Sequence, residues 1–107
     1  MSIGAPQYKD NNTEALADNK TLVANDAYLQ TLDCGGSARN LVMPAGDGTQ
    51  GGRCMIINSS DAAEAITVQQ SDASTTVLVI DQNESAEVVC NGQSTTTGWQ
   101  AVGVTES

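Results

Sequence analysis

RNLVMPAGDGTQGGRCMIINS, residues 39 to 59, is the stretch on which the fold reading turns. It divides into a short strand at 40–43, a stop at Pro44, a loop holding Asp47-Gly48 and Gly51-Gly52, and the most apolar strand of the chain at 54–57. Proline has no N–H to give a ladder and so belongs at a strand end or edge, while glycine admits the positive φ of a tight reversal. The expected unit is short strand, polar turn, short strand, with Arg39 and Arg53 flanking a central hairpin.

The same unit continues outward in both directions. Strands are expected at 21–24 and 27–32, separated by the turn-favouring pair Asn25-Asp26, and at 65–69, where Ile66 and Val68 alternate with Thr67 and Gln69. A strand at 76–80 is apolar on both faces over 77–80, which predicts a central strand or one covered on both sides. Strands at 86–90 and 98–104 follow, joined through Asn91-Gly92. About eight short strands with turn signals every eight to twelve residues predict an all-β domain, antiparallel, in a β-sandwich or jelly-roll-like arrangement or a small barrel. The echo between Ser60-Asp61-Ala62-Ala63 and Ser71-Asp72-Ala73-Ser74 reads as two similar turns and not as a solenoid period. Residues 1–20 are polar and are expected to form an extended N-terminal arm ahead of the domain at 21–107. Thr13 is placed to cap one or two helical turns over 14–17. Two readings of the arm stay open: a frayed terminus, or a segment that orders against a partner with Tyr8 and Leu16 as apolar anchors.

A chain of 107 residues is expected to form one domain, burying roughly two thirds of the surface its unfolded form exposes. With no Phe, one Trp and two Tyr, the core must be aliphatic, and burial between copies becomes an attractive supplement. The net charge of −9 comes from four bases against thirteen acids spread along the chain. Phosphate backbones and anionic lipid are held by Lys and Arg, so neither nucleic acid nor a membrane is an expected partner. There is no apolar run of spanning length, and no signal-peptide pattern at residue 1, so synthesis and folding are expected in a reducing cytoplasm. Cys34, Cys54 and Cys90 agree with that, being odd in number and without paired spacing. Cys54 reads as a small core hydrophobe; Cys34 and Cys90, each beside a glycine turn, could touch, but no disulfide is expected.

No catalytic constellation is visible. Without histidine there is no Ser-His or Cys-His pair and no imidazole metal site, and three dispersed cysteines do not make a zinc site. The glycines of 46–52 lack the Gly-Lys-Ser/Thr ending of a phosphate loop, and the alternating acids of a calcium loop are absent around Asp47. Asp81, Glu84 and Glu87 cluster in sequence but read as a solvated turn. No enzyme, cofactor or metal is therefore expected. Trp99 stays open between core filler and exposed anchor, and Arg39 and Arg53 read as residues of register or contact specificity.

Over 40–58 and again over 86–104 the chain resembles the small head decoration, or cement, proteins of tailed bacteriophages and related head-fibre modules. The matching features are Leu41-Val42-Met43-Pro44, a glycine-bearing loop, Met55-Ile56-Ile57-Asn58, Ala65-Ile66-Thr67-Val68, and Val89-Cys90-Asn91-Gly92 followed by Gly98-Trp99-Gln100-Ala101-Val102-Gly103. The resemblance implies a virion protein on the capsid exterior, present in the host cytoplasm during assembly. It would bind the major capsid protein as a homotrimer near local threefold axes and stabilise the expanded head. The arm would make the capsid contact, with Tyr8 and Leu16 as anchors and Arg39, Arg53 and Trp99 as further candidate contact residues. The alternative within the resemblance is a head-fibre or adhesion module that binds host-surface glycans.

Overall fold

A computed structural model of the chain describes residues 11–45, 51–91 and 98–105. Among these residues the protein is all-β, with nine strands and no helix. They are β1 Asn11–Ala15, β2 Lys20–Thr21, β3 Leu29–Asp33, β4 Arg39–Val42, β5 Arg53–Asn58, β6 Ile66–Gln69, β7 Thr76–Ile80, β8 Ser85–Cys90 and β9 Trp99–Thr105. One sheet has the order β1-β3-β5-β8-β9 and the other β2-β4-β6-β7.

The first six strands alternate between the sheets, and within each sheet they run parallel: β1 beside β3 beside β5, and β2 beside β4 beside β6. A parallel neighbour requires a crossover, commonly a helix. Here the crossover out of one sheet is a strand of the other, so the chain winds through three turns of a flattened coil. The coil ends at residues 70–75. Asp72 accepts hydrogen bonds from the amides of Ser74 and Thr75 and from the Thr75 hydroxyl, and Ala73 takes the left-handed φ of 59°. That turn reverses the chain, so β7 lies antiparallel to β6 and β8 antiparallel to β5; β9 then pairs antiparallel with β8.

The expected all-antiparallel pairing is thereby corrected: both sheets are mixed, and 39–59 is no hairpin, because β4 and β5 lie in different sheets. Period-two alternation cannot separate the two cases, since side chains alternate faces in parallel and antiparallel strands alike. The turns also repeat unevenly. Asn11 sits beside Leu29 and Leu29 beside Met55, steps of eighteen and twenty-six residues, while Lys20 sits beside Leu41 and Arg39 beside Ile66, steps of twenty-one and twenty-seven.

One aliphatic core lies between the sheets. β5 is buried at Cys54, Ile56 and Asn58 and half-covered or exposed at the alternate positions, as a strand with one core face should be. Leu32, Leu41, Ile66, Val68, Ile80 and Val88 belong to it as well. Two further expectations need correction. Residues 11–15 form a strand in place of helical turns, and Leu16 is a core residue, so the fold begins by Asn11 and not at residue 21. Residues 1–10, with Tyr8, lie outside the described residues. β7 is an edge strand with Val79 exposed, not a strand covered on both sides. Its run of branched residues reflects strand propensity and a half-buried inner face.

Candidate functional surfaces

The polar side chains of the interior are bonded mainly to the protein's own backbone. Asn58, fully buried, donates through Nδ2 to the carbonyls of Glu64 and Ile80 at 2.8 and 2.9 Å. Its Oδ1 accepts from the Ser60 amide and hydroxyl, and the Ser60 hydroxyl oxygen in turn accepts from the Cys34 amide at 2.9 Å. Gln70 pairs with the backbone of Trp99 in both directions, Nε2 donating to its carbonyl and Oε1 accepting from its amide, and so joins the end of β6 to the start of β9. A buried polar group without a partner costs on the order of 1–3 kcal/mol, which is why each of these is matched.

The residues expected at contacts are distributed differently. Trp99 is a core residue whose indole Nε1 donates to the Pro44 carbonyl at 2.8 Å, closing its two readings in favour of core filler within this chain. Arg39 sits at a corner of the coil and ties three successive turns together. Its Nε donates to the Cys34 carbonyl, its Nη2 to the Leu16 carbonyl and its own amide to the Ala65 carbonyl. Arg53 lies on the outer face of the five-stranded sheet, 3.5 Å from a Glu87 oxygen whose partner oxygen accepts from the Tyr28 hydroxyl. The structure therefore does not bring Leu16, Arg39, Arg53 and Trp99 to one surface.

Asp81, Glu84 and Glu87 are separated by the chain geometry. The Glu84 carboxylate accepts from the Asp81 amide within a turn, and Glu87 belongs to the Arg53 and Tyr28 group. Cys34 and Cys90 cannot touch, because Cys34 follows β3 beside the Asn58 end of β5, whereas Cys90 ends β8 beside its Arg53 end. The Cys54 thiol is pushed up to about 12 by burial, with Asp26 and Glu87 adding to the effect, so it is no nucleophile at neutral pH.

Two features escaped the sequence reading. Asp33, Asp61 and Glu64 each bring one carboxylate oxygen within 4.8 Å of the others, across a coil corner that spacing along the chain does not reveal. A cavity of about 260 Å³ opens where 22–27 pass Pro44, Cys54 and Trp99, beside an apolar groove of about 460 Å³ along 21–24 and 42–45. Its acid, Asp26, already accepts from the Val23 amide, and its base, Arg53, is taken up by Glu87. Neither feature assembles a nucleophile with a base. No family model matches the chain, and no curated protein does.

Proposed function

We propose that the chain is a structural virion protein that binds the outside of an expanded tailed-phage capsid as a homotrimer near local threefold axes, contacting the major capsid protein and stabilising the head without catalysis. The observation that carries the reading is the employment of the buried polar groups: Asn58, Ser60, Gln70 and the Trp99 indole are spent on holding turns and strands of the fold together. The short motifs of 40–58 and 86–104 supply the class of protein, and the acidic surface suits a particle that must stay soluble and has no need to reach packaged DNA. Three copies on a threefold site present each contact three times, so individually weak contacts combine when geometry permits simultaneous engagement. The glycan-binding alternative is weaker, because among the described aromatic residues Trp99 is buried and the Tyr28 hydroxyl is engaged by Glu87.

The test is a mass measurement in solution followed by co-sedimentation with expanded and unexpanded capsids, using the full chain and a form lacking residues 1–10. A trimer that sediments with expanded heads is expected. A full-length protein that ignores capsids ends the proposal.

A further inference from the structure

We propose that copies of this chain meet through the end of the fold formed by β7 and β9, Val79 of one copy packing against Val102 and Val104 of the next. The inference rests on the homotrimer reading above and names its surface.

Each of β1, β2, β3, β4, β5 and β8 carries one charged residue, Glu14, Lys20, Asp33, Arg39, Arg53 and Glu87 in turn. β6, β7 and β9 carry none. β6 and β7 are neighbours, β7 is the last strand of its sheet, β9 is the last strand of the other, and the two edges lie against each other at one end of the molecule. Open edges of folded proteins are commonly guarded by charge, proline, a bulge or a cover. Each of these strands has one bulge, at Val77 and at Val102, but neither contains a charge or a proline. Among the described residues the large apolar side chains left exposed are Val23, Val79, Val102 and Val104, and three of the four are on these two strands, each about half accessible.

Electrostatics selects the occupant. Two copies that each carry −9 repel least where they meet through uncharged strands, and the β7 and β9 strands are charge-free on every copy. A basic partner would gain nothing from a neutral face, whereas a second copy gains burial of valine with little like charge beside it, since Glu87, opposite Gly103, is paired with Arg53. Val79 lies beside Thr67 on the outer face of its sheet and Val104 lies beside the core residue Ala86 of the other sheet, so the two face different ways; one packing against the other is a heterologous contact, which a threefold ring closes without leaving an open filament.

The experiment compares Val79→Glu, Val102→Glu and, at the other exposed valine, Val23→Glu by sedimentation equilibrium, with circular dichroism to follow the fold. Val79→Glu and Val102→Glu are each expected to convert the trimer to a monomer, and Val23→Glu to remain trimeric. The double variant Val79→Thr, Val102→Thr keeps strand propensity and shape and is expected to raise the dissociation constant at least tenfold, which serves if a glutamate variant misfolds. A monomeric wild type, a trimer that survives either glutamate or the double threonine variant, or a Val23→Glu protein that dissociates equally overturns the proposal. Capsid co-sedimentation of the wild type is read separately. A trimer that ignores capsids ends the capsid reading and leaves this surface standing, while a monomeric wild type that binds capsids does the reverse.

Discussion

At its first turn the coil ends on Asn12, Glu14 and Lys20; at its last it ends on β7 and β9, with no charge between them. In the first turn Glu14 shares the inward face with Leu32 and Asn58, and Lys20 shares it with Leu41 and Val68. The Lys20 ammonium lies 2.9 Å from a Glu14 oxygen, and the Asn12 amide donates to that oxygen at 2.8 Å and to Gln30 at 2.9 Å. Aliphatic residues hold these positions one turn further in, so a strand stacked on this end would have to cover an ion pair. That is how a repeat structure caps itself. The opposite end stops by a reversal of direction, which halts parallel winding but leaves valines uncovered. Stopping the fold and closing it to partners are thus separate problems, and this chain solves both at one end only.

The largest expected effect comes from detaching the first turn. Gly35 adopts a φ of +74°, and a Cβ built there runs into the Leu16 carbonyl oxygen, a backbone atom already accepting from Arg39. Gly35→Ala adds left-handed strain to that collision, for a loss on the order of 3 kcal/mol and a fall in Tm of roughly 15 °C. Amide hydrogen exchange should rise first in β1 and β2. If protection is lost evenly across both sheets, the first turn is not a separable cap.

At the other end the corresponding joint is Gln70. Gln70→Leu nearly conserves volume and removes both bonds to the Trp99 backbone, leaving a buried amide and carbonyl unmatched, for a cost of about 2 kcal/mol. Here exchange should rise at the start of β9, with β1 unaffected. A variant as stable as the wild type would mean that Trp99 packing alone holds the two sheets together at this end.

These two joints also mark what was legible in the sequence. The strands around 53–58 and 76–80 could be read because alternation and turn residues are local, and Asn25-Asp26 does form its turn, with the Asp26 carboxylate accepting from the Val23 amide. The winding was not legible, since parallel partners lie eighteen to twenty-seven residues apart at unequal steps and no period emerges. Nor could residues 11–16 be placed. NNTEAL satisfies a capped helix by propensity, and only the ladder offered by β3 and the core site waiting for Leu16 make it a strand. Arg39 drew notice with Arg53 as one of two bases flanking the central loop, but its three bonds to carbonyls depend on a corner where three turns coincide.

The smallest expected effect tests the charged cap itself. The Glu14 carboxyl is held below the usual carboxylate range, first by the Asn12 amide and then by Lys20. A carboxylate whose folded value is depressed contributes stability that is fully present above its unfolded value and disappears as pH falls through the folded one. Glu14→Gln should therefore cost at most about 1 kcal/mol at neutral pH, because the pair is partly exposed and screened by salt. As the solution is acidified the wild type should lose that margin until the two melting temperatures converge. Convergence will not make either protein insensitive to acid, since Asp72 is also held low by the Thr75 hydroxyl and by the amides of its turn. Its contribution is common to both proteins and cancels in the difference. Melting curves taken in steps from neutral to acid pH, at low and high salt, separate the cases. A gap that persists in acid would mean that Glu14 acts through packing and hydrogen bonding to Asn12, so that the first turn is closed by shape and not by charge.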